Sequence, residues 1–127
     1  MARVYKPAQA KMLGLPGRKS LEMVSGATGG HSITLRKVEI PVAGSAQSNR
    51  GMHSHRDTEE CIYVLSGQGT TSAESGEFPL QAGDVIMIPP GEKHRTRNTG
   101  SEPLLLLCFF PIADIKPGMQ EEQPSSD

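Results

Sequence analysis

The chain has 127 residues, enough for one domain with a core that needs no disulfide or metal staple. It carries 13 basic and 14 acidic residues for a net charge of −1, and no basic run exceeds two residues, which argues against nucleic acid or an anionic membrane as partner. Fourteen Gly and ten Pro fit an all-β chain with many turns, while two Tyr, three Phe and no Trp argue against a site built on aromatic stacking.

Residues 1–19 contain no apolar core of a signal peptide and are interrupted by Pro7 and Pro16. The longest apolar run, residues 104–110, is too short to span a bilayer. Without a secretory signal, Cys61 and Cys108 read as free buried thiols, and the expected compartment is the cytoplasm.

Taken in order, residues 1–20 read as an irregular N-terminal arm, because Gly14-Leu15-Pro16-Gly17 forbids a long helix. A short strand is predicted at 21–24 and a loop at 25–30, followed by His31, read as a solvated loop histidine. Residues 32–40 form the next strand. There Ile33 and Leu35 share one face and Val38 and Ile40 the other, which implies a bulge or burial on both faces. The polar loop 41–51 leads to His53 and should border the site entrance. Further strands are predicted at 52–56, 60–65, 70–74, 77–81, 85–88, 94–98 and 104–110. About nine short strands at this turn spacing, with little helix and no internal repeat, indicate a sandwich or jelly roll. Residues 112–115 would pack on the barrel or make one helical turn. The organisation is therefore an arm (1–20), a barrel (21–115) and a flexible acidic tail (116–127).

Two blocks carry the chemistry. In the first, His53-Ser54-His55 is followed after four residues by Glu60 and after six more by Gly67. In the second, Gly83 is followed after five residues by Pro89-Pro90-Gly91, then after two by His94 and after three by Asn98. Side chains two apart on a strand share a face, about 7 Å apart at the backbone, so His53 and His55 can reach one ion. Glu60 lies an odd number of residues beyond His55, so a turn must intervene, and Arg56-Asp57-Thr58 has the composition for one. His94 follows a tight turn and shares its face with Thr96 and Asn98. Three imidazoles and one carboxylate suit a divalent transition metal (Fe, Mn, Ni or Zn), one per chain, and leave coordination positions open for a ligand.

These blocks resemble the paired motifs of the cupin superfamily. The second block agrees at Gly83, Pro89, Gly91, His94 and Asn98, and the first at His53, His55, Glu60 and Gly67. The first departs at its leading glycine: position 47 is Gln, and the nearest glycine, Gly44, leaves three extra residues before His53. The spacing to Gly67 selects Glu60 over Glu59, which should face solvent. The resemblance implies a single-domain jelly-roll barrel, a metal held by His53, His55, Glu60 and His94, and a homodimer, with the N-terminal arm pairing to a neighbouring subunit in some small cupins.

By parity, Ile62 and Thr96 face the pocket, and Arg56 and Met87 are further candidates for substrate contact, Arg56 for pairing with a carboxylate. Asn98 should anchor backbone, Arg95 and Arg97 should face away, and Cys61 has the wrong parity for a ligand. No separate general base is identifiable, so a metal-bound water or Glu60 would have to serve. The expected function is an enzyme acting on a small oxygen-rich molecule (a carboxylate, keto/enol compound or sugar acid) as a dioxygenase, isomerase, decarboxylase or lyase. The alternative is a metal-containing binding or sensing module without turnover.

Overall fold

The computed structural model describes residues 1–44, 52–115 and 119–121. The predicted entrance loop therefore lies largely outside the described residues, as does most of the predicted tail. Among the described residues eleven strands form: β1 (Lys11–Leu13), β2 (Lys19–Val24), β3 (Thr34–Ile40), β4 (His53–His55), β5 (Glu60–Ser66), β6 (Gln68–Ala73), β7 (Gly76–Gln81), β8 (Val85–Ile88), β9 (His94–Asn98), β10 (Leu104–Phe110) and β11 (Met119–Glu121). Helix is limited to two short 3-10 turns, Pro7–Gln9 and Gly26–Thr28. No helix among these residues is long and apolar enough to cross a membrane.

The strands make two antiparallel sheets. One has six strands in the order β1-β2-β3-β10-β5-β8, the other five in the order β11-β4-β9-β6-β7. The alternation in β10 explains how the first sheet is oriented. Leu104, Leu106, Cys108 and Phe110 point inward and are buried, while Phe109, on the opposite parity, stays 37% exposed. On β5, next to it, Ile62 and Val64 face inward and Tyr63 and Leu65 outward. Each fully buried Leu, Val or Phe contributes about 1.5–3 kcal/mol of transfer free energy. The apolar core consists of Val38, Ile40, Ile62, Val64, Ile88, Leu104, Leu106, Cys108 and Phe110, all from the six-stranded sheet. The inner face of the other sheet is polar: His53, His55, Thr71, His94, Thr96 and Asn98 are all buried there.

Two differences from the sequence reading concern the ends of the chain. Part of the N-terminal arm joins the sheet: β1 pairs with β2 in register Lys11↔Glu22 to Leu13↔Ser20, with the Gly14–Gly17 segment serving as the connection between strands. Part of the predicted flexible tail, Met119–Glu121, pairs with β4, whose edge would otherwise carry unpaired backbone groups. The irregularity anticipated in residues 32–40 falls on the neighbouring strand, where β2 shifts register between Glu22 and Val24 against β3. Ile112 and Ile115 pack against the core. His31 and Glu59 are exposed.

Asn98 closes one end of the barrel. Its Nδ2 donates to the Ile40 carbonyl at 3.1 Å and to the Glu102 carbonyl at 2.7 Å, and its Oδ1 accepts from the Gly100 N–H at 2.8 Å. It therefore ties the two sheets together through backbone. Gly67 marks the β5–β6 corner with φ +91°, and a Cβ there would lie 2.9 Å from the Pro103 carbonyl oxygen, so both conformation and space demand glycine.

Candidate metal centre

The chain leaves β4 in one sheet and enters β5 in the other through the Arg56-Asp57 turn. This crossing converts the odd spacing between His55 and Glu60 into convergence. His53 and His55 share the inner face of β4, and His53 pairs directly with His94 on β9. Glu60, the first residue of β5, faces them from the opposite sheet. The ring centroids of His53 and His94 lie 4.3 Å apart and those of His53 and His55 5.3 Å. One donor atom from each of His53, His55, Glu60 and His94 falls within 4.8 Å of all the others, and all four residues are buried.

These residues fit a single transition-metal ion. Donors at about 2.0–2.2 Å from one ion lie no more than about 4.4 Å apart, so the observed set needs only a small contraction. His94 Nδ1 lies 3.0 Å from the Glu92 carbonyl oxygen, which can only accept, so Nδ1 carries the proton. The lone pair on His94 Nε2 then faces Glu60 Oε1 at 3.1 Å. Two electron-rich atoms at that distance need a proton or a cation between them. Glu60 Oε1 also lies 3.4 Å from His55 Nε2. The Glu92 carbonyl thus orients His94 from behind, as outer partners of metal-bound histidines do. Glu92 is itself fixed through its carboxylate, which accepts from Ser75 Oγ at 2.5 Å and from the Ser75 N–H at 3.1 Å.

The electrostatics agree. Burial opposes charge on Glu60, but the adjoining His55 and His94 outweigh it and hold the carboxyl well below the usual range. Burial, then the proximity of His94, drives the pKa of His53 down to about 2, so its imidazole is neutral and available as a ligand. Cys108, expected from the sequence as a free buried thiol, lines the same cavity. Burial and then the charge of Glu60 push its thiol well above the usual range, so it stays protonated.

The quartet forms one wall of a cavity of about 40 Å³ between the sheets. Ile62 and Thr96 line it as the parity argument anticipated, and Thr96 Oγ1 lies 2.7 Å from Thr71 Oγ1. Arg56 and Met87 are corrections. Arg56 sits on the exposed turn that carries the chain between sheets. Met87 lies between Ile86 and Ile88 on β8, points outward and is 52% exposed. Arg95 and Arg97 avoid the His94 face, and Arg97 donates to Ser72 Oγ at 2.6 Å and to Glu77 at 3.2 Å. The cavity's arginines are Arg18 and Arg36, accompanied by Ser20. Arg36 and Val38 share a strand face, so parity alone could have flagged Arg36. No sequence signal marked Arg18 or Ser20, because the β1–β2 pairing was not anticipated. Cys61 and Cys108 are both free.

The cupin-domain family model matches residues 37–110, more than half of the chain. The chain belongs to the cupin family. Among curated relatives of this cupin, the uncharacterized protein MJ1618 of Methanocaldococcus jannaschii is 39% identical over 75 residues, covering 59% of this chain and 57% of its own length. Glucose-6-phosphate isomerase of Thermococcus gammatolerans is 38% identical over 64 residues, 46% of this chain and 34% of the isomerase. The oxalate-binding protein of Thermotoga maritima is 37% identical over 63 residues, 50% of this chain and 52% of its own length. The alignments thus span between 34% and 57% of these relatives. Among solved structures, the nucleoside dehydratase Pac13 shares the fold with a TM-score of 0.79 at 17% identity, covering 99% of this chain and 95% of that one. Oxalate decarboxylase of Lactobacillus farciminis has a TM-score of 0.76 at 26% identity, covering 90% of this cupin and 34% of the decarboxylase.

Proposed function

We propose that this cupin is a metal-dependent enzyme acting on a small oxygen-rich acid, with one divalent transition metal (Fe, Mn, Ni or Zn) held by His53, His55, Glu60 and His94. The observation that carries this reading is the convergence of four buried donor atoms within 4.8 Å on the wall of an interior cavity. An ion held there supplies a Lewis acid for substrate oxygens. The chain's own contribution is orientation and exclusion of water. The four ligands are fixed on strands, and Ile62, Leu106 and Phe110 give the cavity apolar walls that strengthen electrostatic interactions inside it. Isomerase, decarboxylase, lyase and dioxygenase chemistry all start from such binding, and the names of the isomerase and oxalate decarboxylase relatives favour the first two.

One observation favours the alternative of a binding module without turnover. Among the described lining residues Glu60 is the only carboxylate and the three histidines are all in the quartet, so no independent general base faces the cavity. The oxalate-binding relative accords with it. The deciding experiment is elemental analysis of the purified protein, followed by a product screen with small keto, hydroxy and dicarboxylic acids on protein reloaded with each metal. About one ion per chain and a new product signal support the enzyme. Metal with tight binding but no product supports the binder, and no metal uptake under any condition rejects both.

We also infer a homodimer through the outer face of the six-stranded sheet. Tyr63, Leu65, Val85, Met87 and Phe109 are 37–59% exposed there, and register places Tyr63 beside Val85 and Cys61 between Met87 and Phe109. Such a contiguous apolar face is a common mark of an interface. Light scattering should give twice the chain mass for the wild type and the chain mass for Tyr63→Glu with Val85→Lys; a monomeric wild type rejects the inference.

A further inference from the structure

We propose that Ser20, Arg36 and Arg18 form an anion-recognising wall opposite the histidines, which makes the ligand a small dicarboxylate of two or three carbons. This deepens the metal-site reading and rests on it for one end of the ligand. Two buried donors there have no partner among the described residues. Ser20 Oγ, on a residue with 0% exposure, and Arg36 Nε find no hydrogen-bond acceptor among them, and both residues line the cavity. Buried donors are nearly always paired in a native protein, so two orphans facing one cavity mark where an acceptor binds.

The register explains why they sit together. Ser20 pairs with Val38 and Glu22 with Arg36 across β2 and β3, so all four side chains share the inner face. The Arg36 guanidinium is held at both ends. Its Nη2 lies 3.4 Å from Glu22 Oε1, and its Cζ stands 5.5 Å from the centre of the Phe110 ring. The Phe110 ring also lies 4.8 Å from the ring of His55. One aromatic ring therefore contacts both Arg36 and a member of the quartet, so the span between the arginine wall and the ligands is short, as a very short diacid requires. Arg18 reaches the same cavity from the β1–β2 connection, positioned by donation from Nη1 to the Pro16 carbonyl at 2.6 Å.

Charge and size narrow the class. The ion would hold one end of the ligand and the Ser20, Arg36 and Arg18 wall the other, so each end is best met by a negative charge, as in a dianion. The volume of about 40 Å³ corresponds to roughly three or four waters, which suits two or three carbons. The remaining walls around Val38, Ile62 and Leu106 are apolar and offer nothing to a row of hydroxyls.

The test is isothermal titration of the metal-loaded protein with malonate and with its half-amide, which keeps the shape and removes one charge. Oxalate and oxamate form a second pair, and metal content is measured on the same samples. The diacid should bind at least about tenfold more tightly than the half-amide, the scale of a charge-assisted hydrogen bond. That preference should collapse in Arg18→Gln, in Ser20→Ala and in the charge-neutral pair Arg36→Met with Glu22→Gln, with metal content unchanged. Arg18→Gln and Ser20→Ala keep the test decisive if the double variant does not fold. Equal affinity for diacid and half-amide in the wild type, or a preference that survives all three changes, overturns the proposal. Loss of metal from the wild type would instead count against the quartet; the same titration on that metal-free protein still decides the wall, an arginine-dependent preference supporting it and none overturning it.

Discussion

Replacing His94 with alanine should strip the metal from the protein, lowering occupancy from about one ion per chain to less than about a tenth. Removing only an outer partner of a ligand typically costs 10–100-fold in metal affinity, so removing a ligand from the centre of the set should cost more than about 100-fold. His94 is the central member. It is 1% exposed, it pairs with His53 across two strands, and its Nε2 is 3.1 Å from Glu60. The substitution also takes away one of the two imidazoles that support the buried Glu60 carboxylate, an unpaired-group cost of about 1–3 kcal/mol. A fall in stability of that order should therefore accompany the metal loss. His94→Gln, which places an amide donor near Glu60, should recover much of the stability and little of the metal. Elemental analysis and urea denaturation of the three proteins give both readouts. Full metal occupancy in His94→Ala would remove His94 from the ligand set.

The metal-free protein should lose stability steadily as the pH falls below about 6.5. The sign follows from His53. Its folded pKa is depressed to about 2 by burial and then by the nearby His94, whereas the unfolded value is near 6.5. Between those limits the unfolded chain binds the proton and the folded chain does not, so acid favours unfolding. Each pH unit below about 6.5 then costs about 1.4 kcal/mol, or roughly 3 kcal/mol by about pH 4. Glu60 adds to the loss at lower pH. Its carboxyl is held below the unfolded value of 4.5, so its stabilisation is present above that value and fades as the pH drops through the folded one. Denaturation midpoints measured from about pH 8 to 4 should decline in the wild type and flatten in His53→Gln. A wild-type profile that is level down to about pH 5 would contradict the buried, neutral state of His53.

The parts of this fold that could be read from sequence are those where a two-residue period decides the answer. Alternation along residues 104–110 and 60–65 placed the core residues, and the His-x-His spacing placed two ligands on one face. The odd offset to Glu60 required a turn, and the structure shows that the turn also changes sheets. What resisted reading depended on pairings between distant segments. The first strand has weak propensity, and Lys11–Leu13 is a strand only because β2 offers it an edge. Arg18 and Ser20 enter the cavity as a consequence. Arg56 was drawn toward the site by its place beside His55, yet the turn that delivers Glu60 is the one that turns Arg56 out. Met87 failed by parity, since its neighbour Ile88 holds the inward position.

Half of the ligand quartet rides on β4, a strand of three residues matched to β9 by the single pair His53↔His94. The core residues that hold the barrel together all lie in the other sheet. An ion held by the quartet would then exchange without global unfolding. Release of β4 from β9 and β11 would withdraw two ligands at once and leave the apolar sheet intact, so the residence time of such an ion would follow a local opening and not the lifetime of the fold.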